Sequence, residues 1–320
     1  MVRGRLLLPS ARITTLAGGV GAAKFIRGLT HRVEQRRLDI IVNTGDDENF
    51  YGLHVSPDID TVVYTLAGVV NRTQGWGLPD ETFNALGALE RFYGKPWFAL
   101  GDRDLATHLF RTERLGAGAR LSQVTAELAN RFRLKARVMP MSDDRVRTFV
   151  KLRGRPAMPF QEYFVRRRFR GIVERVELRG VERARPLPAA LNAIAASVAV
   201  ILAPSNPIVS LGPILSLKGV RAALASVRSR VAAISPIVGG RTIKGPADRM
   251  LRGLGHEVSP LGVARLYRDC VGVFVLDHVD RRYLEPIRAL GMRAIATDTI
   301  MSSPARAARL AEVVLQELGV

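Results

Sequence analysis

ITTLAGGVGAAK, residues 13–24, decides the fold: a short apolar run, Ile13 to Ala17, breaks into a glycine-rich turn from which a helix sets off. The same rhythm recurs outward from it. Ile40 to Val42 runs into NTGDD (43–47), Val198 to Leu202 into PSNP (204–207), and Val231 to Ile234 into Ser235-Pro236. Farther on, Val271 to Leu276 precedes Asp277, and Arg293 to Ala296 precedes Thr297-Asp298. Near-continuous Val/Ile/Leu runs separated by helical stretches are the pattern of strands buried on both faces. The expectation is an α/β protein with a doubly wound, mainly parallel sheet. Ligands of such sheets bind outside the carboxyl ends of the strands, so the small and polar loops should converge on one crevice.

Domain organisation follows from where the rhythm holds. Residues 1–12 read as a disordered leader, too short in its apolar run to be a secretory segment. Residues 13–60 and 191–320 read as a nucleotide-binding core, and 61–190 as a large, mostly helical insertion covering the crevice. Helices are expected near 80–93, 102–114 and 121–132, and strands near 144–152 and 171–179.

Composition excludes several classes. Of the 320 residues 47% are hydrophobic and 24% charged, an ordinary globular balance, and no apolar run approaches the roughly 20 residues of a membrane span. The lone cysteine, Cys270, forbids an internal disulfide and suits a reducing, cytoplasmic setting. A net charge of +19 raises the question of nucleic acid. The basic residues are mostly arginines spread over the whole length, which argues against a dedicated nucleic-acid face. Their densest run, Arg166-Arg167-Arg168 with Arg170, faces an anion or is simply solvated.

The chemistry-bearing residues lie in the loops. Gly18, Gly19, Gly21 and Lys24 open a helix where bare backbone N–H groups and the helix dipole favour phosphate. The turn is neither a full dinucleotide fingerprint nor a Walker loop, since Phe25 follows Lys24, and a tight strand-to-helix turn is the plain alternative. Asp46 and Asp47, Asp58 and Asp60 within SPDIDT (56–61), and Asp102 and Asp104 within GDRD are hard oxygen donors of the kind that hold Mg²⁺ beside substrate phosphates. About half are expected only to cap helices. Asp46 and Asp60, nearest the carboxyl end of the second strand, are the metal candidates. Arg103 offers a planar fork to phosphate, or a surface ion pair. His108 reads as a packed or capping histidine. Ser205, Asn206, Pro207 and Ser210 form a rigid turn able to hold a nucleotide. Trp76, Trp97, Phe98 and Tyr163 either stack on a flat ligand or fill the insertion's own core.

Taken together, GGVGAAK, NTGDD, SPDIDT, YTLAG, GDRDLATH, MSDD, APSNPIVSLGPIL, ISPIVGG and TDTIM occur in order across almost the whole chain, and the set resembles the 2-phospho-L-lactate transferase family of coenzyme F-420 biosynthesis. The resemblance implies a Rossmann-like, homodimeric, Mg²⁺-dependent transferase. Such enzymes move a phospho-acid group (lactyl, enolpyruvyl or glyceryl) from a guanosine-diphosphate-linked donor to the deazaflavin Fo and release GMP. It implies Asp46 and Asp60 at the metal and acceptor, with Asp60 and Arg103 catalytic. It also implies Gly18, Gly19, Gly21, Lys24, Thr61 and the Ser205–Ser210 loop at the substrate nucleotide. Two rival readings stand beside it: an NAD(P)-dependent oxidoreductase, which leaves the clustered aspartates unexplained, and a nucleotide- or nucleic-acid-binding regulator.

Overall fold

The computed structural model describes residues 11–320. Strands β1 (Ile13–Ala17) and β2 (Leu38–Val42) are followed by a hairpin of β3 (Glu48–Phe50) and β4 (Leu53–Val55), then by β5 (Arg137–Pro140). Next come β6 (Arg147–Leu152), β7 (Ala157–Pro159), β8 (Val173–Arg179), β9 (Ala199–Leu202) and β10 (Val231–Ile234). The pair β11 (Ile237–Val238) and β12 (Arg241–Thr242), then β13 (Val273–Asp277) and β14 (Arg293–Thr297), complete the set. One seven-stranded sheet runs β14-β13-β10-β9-β1-β2-β5, with every pairing parallel. The order reverses between β1 and β9, the switch point at which a doubly wound sheet opens its ligand crevice.

Helices cover both faces. In chain order they are α1 (Gly19–Leu29), α2 (Pro57–Leu66), α3 (Asn84–Tyr93), α4 (Asp102–Gly116), α5 (Leu121–Arg131) and α6 (Pro188–Ala196). After them come α7 (Leu211–Ser216), α8 (Val220–Ser226), α9 (Ala247–Gly253), α10 (Pro260–Tyr267), α11 (Leu284–Arg288) and α12 (Pro304–Leu318). Strand residues alternate between two cores, as the period of two requires. Leu38, Ile40 and Val42 join the core built with α1, α2 and α12, while Ile41 joins the one built with α6, α7, α8 and α10. Each large aliphatic side chain so buried stabilises the fold by about 1.5–3 kcal/mol. No helix among the described residues is long and apolar enough to cross a membrane.

The expected strands and helices are present, with one correction to the domain boundaries. Residues 61–190 are not a single insertion, because β5 lies within them and extends the main sheet as its edge strand beside β2. It is four residues long and ends in Pro140, too brief to show a period. The remainder divides into a helical excursion before β5, carrying α3 to α5, and an antiparallel flap after it, β7-β6-β8. Of the leader expected over 1–12, residues 1–10 lie outside the described residues. Arg12 is anchored by its guanidinium to Asp39.

The terminal helix closes the fold against α1. Ser303 caps its start, Pro304 fits its first turn and Gly319 ends it with φ of 74°. The two helices cross so closely that a Cβ on Gly28 would stand 2.4 Å from the backbone of Ala307. Inside a helix alanine normally exceeds glycine by about 1 kcal/mol. Here Gly28→Ala is expected to reverse that sign and destabilise by about 1–3 kcal/mol, read as a lower urea midpoint. An unchanged or higher midpoint would contradict the crossing.

A buried carboxylate cluster as the candidate active site

Three loops meet at the carboxyl ends of β1 and β2. The first follows β2, where Asn43 is fully buried and its Oδ1 accepts from the N–H of Gly45 at 2.9 Å, turning the chain back. The second is the β3–β4 hairpin, whose two central residues, Tyr51 and Gly52, have φ of 54° and 82°, the signature of a tight two-residue turn. The third is the start of α2, where Ser56 precedes Pro57 and both Asp58 and Asp60 fall in the first turn. Acidic residues are favoured at that end of a helix dipole.

These loops gather Asp46, Asp47 and Asp58. The Nδ2 of Asn43 donates to Asp46, to Asp58 at 2.9 Å and to the carbonyl of Val209 at 3.3 Å. Asp58 also accepts from the Gly19 N–H at 2.7 Å. Asp47 accepts from the Ser56 hydroxyl at 2.7 Å and contacts Nε2 of His54 at 3.1 Å, while its other oxygen is buried with no partner. From the flap, Gln161 reaches Asp46 at 3.5 Å. Among the described residues no lysine or arginine lies within 4 Å of Asp46 or Asp58. Burial, with the charges of Asp58 and Asp47, pushes the Asp46 carboxyl well above the usual range. Burial likewise raises Asp58 to about 7, against the pull of its hydrogen bonds from Asn43 and Gly19. Asp46 and Asp58 are buried hard oxygens with no cationic partner among the described residues, so a divalent cation would offset their charge, although Asp46, Asp47 and Asp58 do not as they stand bring one oxygen each within 4.8 Å of the others.

A second network adjoins the first and is held by a buried ion pair, though His108 Nε2 and Arg111 Nε in it are buried without a hydrogen-bond partner. Arg111 of α4 is completely buried and holds both oxygens of Asp60, one at 3.2 Å and the other in a closer bond. It also donates to the His54 carbonyl at 3.3 Å. Burial raises the Asp60 carboxyl, and Arg111 and His108 pull it back. A guanidinium cannot give up its proton, so Arg111 keeps Asp60 as its counter-ion. Nδ1 of His108 lies 3.3 Å from an Arg111 nitrogen, and Nε2 lies 3.4 Å from Asp104. The Tyr64 hydroxyl donates to Asp104 at 2.5 Å. Burial works against the Asp104 charge, but the contacts from His108 and Tyr64 outweigh it and hold the carboxyl below the usual range. Asp60, Asp104 and His108 bring one ligand atom each within 4.8 Å of the others. A cation there would face Arg111.

The remaining expected residues fall in distinct places. Gly18, Gly19 and Gly21 are at the crevice; the space left by Gly18 and Gly21 is filled by protein, whereas Gly19 has φ of 72° and a Cβ on it would meet nothing closer than Asp58 at 3.9 Å. A Cβ on Gly18 would meet Ser210 at 2.7 Å and one on Gly21 the Pro204 carbonyl at 2.4 Å. With the Gly19 N–H given to Asp58, the turn locks β1 to the loop after β9. Lys24 is half-buried on α1, and burial, then Lys244 and Arg27, lowers its ammonium. Thr61 is buried on α2, and Ser205 is buried with its hydroxyl unpartnered. Asn206 accepts from the N–H of Ile208 at 2.9 Å and shapes its own turn through Pro207, while Ser210 begins α7. Arg103 is exposed and bound to the Pro79 carbonyl at 2.9 Å, apart from the carboxylates that Arg111 meets. Trp97 and Phe98 pack on Phe50 of the hairpin, Trp76 is exposed, and Tyr163 is buried in the flap. Asn43, His54, Arg111 and Gln161 were not foreseen. For Arg111 the signal was present: residues 104, 108 and 111 share one face of a helix, and all three are polar where a core face should be apolar.

A family described as 2-phospho-L-lactate transferase CofD matches residues 13–315. A phosphoenolpyruvate transferase from Streptomyces griseus is 42% identical over 310 residues, covering 95% of this chain and 98% of the relative. A 2-phospho-L-lactate transferase from Methanosarcina mazei is 37% identical over 300 residues, covering 94% and 98%. A Bacillus halodurans protein of known structure shares the fold with a TM-score of 0.66 at 16% identity, covering 96% of this chain and 99% of its own.

The raised Asp58 carboxyl has a measurable sign. Its ordinary value is about 3.9, and in the fold it is about 7, so the native state binds the extra proton between them. Stability in EDTA should therefore fall as pH climbs from about 4 to about 7 and then level off, by at most about 4 kcal/mol. Mg²⁺ should raise Tm at pH 8 far more than at pH 5, and Asp58→Asn should flatten both effects. A Tm in EDTA that does not drop between pH 5 and 8 would contradict the burial of these charges.

Proposed function

Because the chain belongs to the 2-phospho-L-lactate transferase CofD family, we propose that it transfers a phospho-acid group from a guanosine-diphosphate-linked donor to the deazaflavin Fo, releasing GMP, in coenzyme F-420 biosynthesis. The more similar of the two relatives just described is a phosphoenolpyruvate transferase, so the enolpyruvyl donor is our first expectation. The observation that carries the reading is the buried pair Asp46 and Asp58 at the switch point, with half-buried Asp47 beside them and, among the described residues, no cationic side chain on Asp46 or Asp58. Function as a homodimer in the cytoplasm belongs to the same reading.

Asp46, Asp47 and Asp58 are the residues that would hold Mg²⁺. When bound, the ion offsets the negative charge that develops on the transferred phosphoryl group, where most catalysis of this reaction type lies. Asn43 orients two of these carboxylates at once, and Gln161 brings the flap onto Asp46. The acceptor hydroxyl attacks the phosphorus next to the acid as the bond to GMP breaks, and its proton passes to solvent or to the departing phosphate. Asp60 is in this reading a positioning residue, fixed by Arg111 so that the start of α2 presents Asp58 to the cluster. Arg103, on the exposed start of α4, is free to leave the Pro79 carbonyl for a substrate phosphate. A dehydrogenase would set its pyrophosphate on the glycine turn. The Gly19 N–H is already given to Asp58, which disfavours that alternative.

Purified protein incubated with Fo, Mg²⁺ and each of the three donors, followed by chromatography with mass detection, tests this. A phosphodiester-linked deazaflavin is expected, fastest with the enolpyruvyl donor, absent in EDTA, and slowed by roughly two orders of magnitude or more in Asp46→Asn. Turnover unaffected by EDTA, or no product from folded protein with any donor, would overturn it.

A further inference from the structure

A cavity of about 720 Å³ lies between the turn that follows β6 and the turn that precedes β8, and six arginines line it: Arg153, Arg155, Arg166, Arg167, Arg168 and Arg170. Their acidic partners within 4 Å are few among the described residues. Glu162 stands 3.7 Å from Arg166 and 3.9 Å from Arg167, and Glu174 stands 3.7 Å from Arg153 while also facing Lys151. None of these contacts is at hydrogen-bonding distance, so the guanidinium donors remain open. Arg155, Arg168 and Arg170 meet no carboxylate at all among the described residues. The Nε of Arg167 is buried without a partner.

The segment that gathers these charges is built, not loose. Phe169 donates its N–H to the Tyr163 carbonyl at 2.9 Å, and the hydroxyl of the fully buried Tyr163 returns a bond to the Phe169 carbonyl at 3.3 Å. Arg249 donates to that same carbonyl at 3.1 Å and lies over the Phe169 ring. Arg168 and Phe169 hold φ of 50° and 46°, a left-handed conformation that costs side-chain-bearing residues about 1–2 kcal/mol each. A backbone strained to bring six like charges around one concavity is stabilised when a multiply charged anion enters.

We propose that this pocket binds a small oligophosphate, a chain of two or more phosphate groups. Guanidinium forks match phosphate oxygens in pairs, so six of them exceed what a single phosphate can use. The volume falls within the roughly 300–1,000 Å³ of small-ligand sites. The six arginines, five of them exposed, rim one open concavity formed by two turns; a nucleic-acid backbone would call for an extended stripe. None of them belongs to the carboxylate cluster, and the assignment does not depend on the transfer reaction. The two sites share one element: Gln161, which touches Asp46, immediately precedes the turn Glu162–Arg166 that carries the first arginine.

Calorimetric titration with inorganic tripolyphosphate in EDTA, at physiological ionic strength, tests the pocket without a metal bridging phosphate to the aspartates. The wild-type chain should bind it saturably, more tightly than orthophosphate. The triple variant Arg155→Ala/Arg168→Ala/Arg170→Ala should weaken binding about tenfold or more, whereas Asp46→Asn should leave it unchanged. Should the triple variant misfold by circular dichroism, the single reversal Arg170→Glu serves the same comparison. Equal affinity in the arginine variants would overturn the proposal. So would orthophosphate matching tripolyphosphate, or duplex DNA binding more tightly than tripolyphosphate, which would make this a nucleic-acid surface.

Discussion

One amide group of Asn43 bridges two buried carboxylates, and much of the molecule's architecture around the switch point exists to make that arrangement hold. Burying like charges side by side is costly unless each is hydrogen-bonded or neutralised. The chain meets the first condition with backbone and side-chain donors: the N–H of Gly19 at the start of α1, the hydroxyl of Ser56 before α2, and the amide of Gln161 from the flap. It leaves the second condition open at Asp46 and Asp58. The glycines at 18 and 21 serve the same end, since the missing Cβ atoms let the loops after β1 and β9 close on each other and seal the cluster's floor.

The neighbouring network shows what the chain does when it means to neutralise a buried acid. Asp60 lies two residues from Asp58 on the same helix turn, yet it receives a completely buried guanidinium from α4. Arg111 also binds the His54 carbonyl and so ties the hairpin, and with it Asp47, to the helical excursion. With a net charge of +19, arginine was available for every acid. Its absence from Asp46 and Asp58 and its insertion at Asp60 are the physical ground on which the first pair is proposed to hold a cation.

The sheet was legible because its strands are buried on both faces and therefore read as unbroken apolar runs. β5 escaped because an edge strand of four residues ending in proline carries no period. The aspartates were legible as hard ligands, but their partners were not. Arg111 is 51 residues from Asp60, and only the packing of α4 on the hairpin brings them together. Arg103 stands out in sequence by its place between two aspartates, whereas the helix turns it outward and turns residue 111 inward. In sequence the glycine turn looks like a phosphate cradle because its N–H groups look free. Asp58, 39 residues on, takes one of them.

The central claim is that Asp46, Asp47 and Asp58 form one divalent-cation site distinct from the Asp60–Arg111 pair. Electron paramagnetic resonance of Mn²⁺ titrated into the wild-type chain, Asp46→Asn and Asp104→Asn tests it most directly. The account predicts a single saturable site, lost in Asp46→Asn and retained in Asp104→Asn. Binding that survives Asp46→Asn and disappears with Asp104→Asn would move the cation to the histidine-containing group and contradict it.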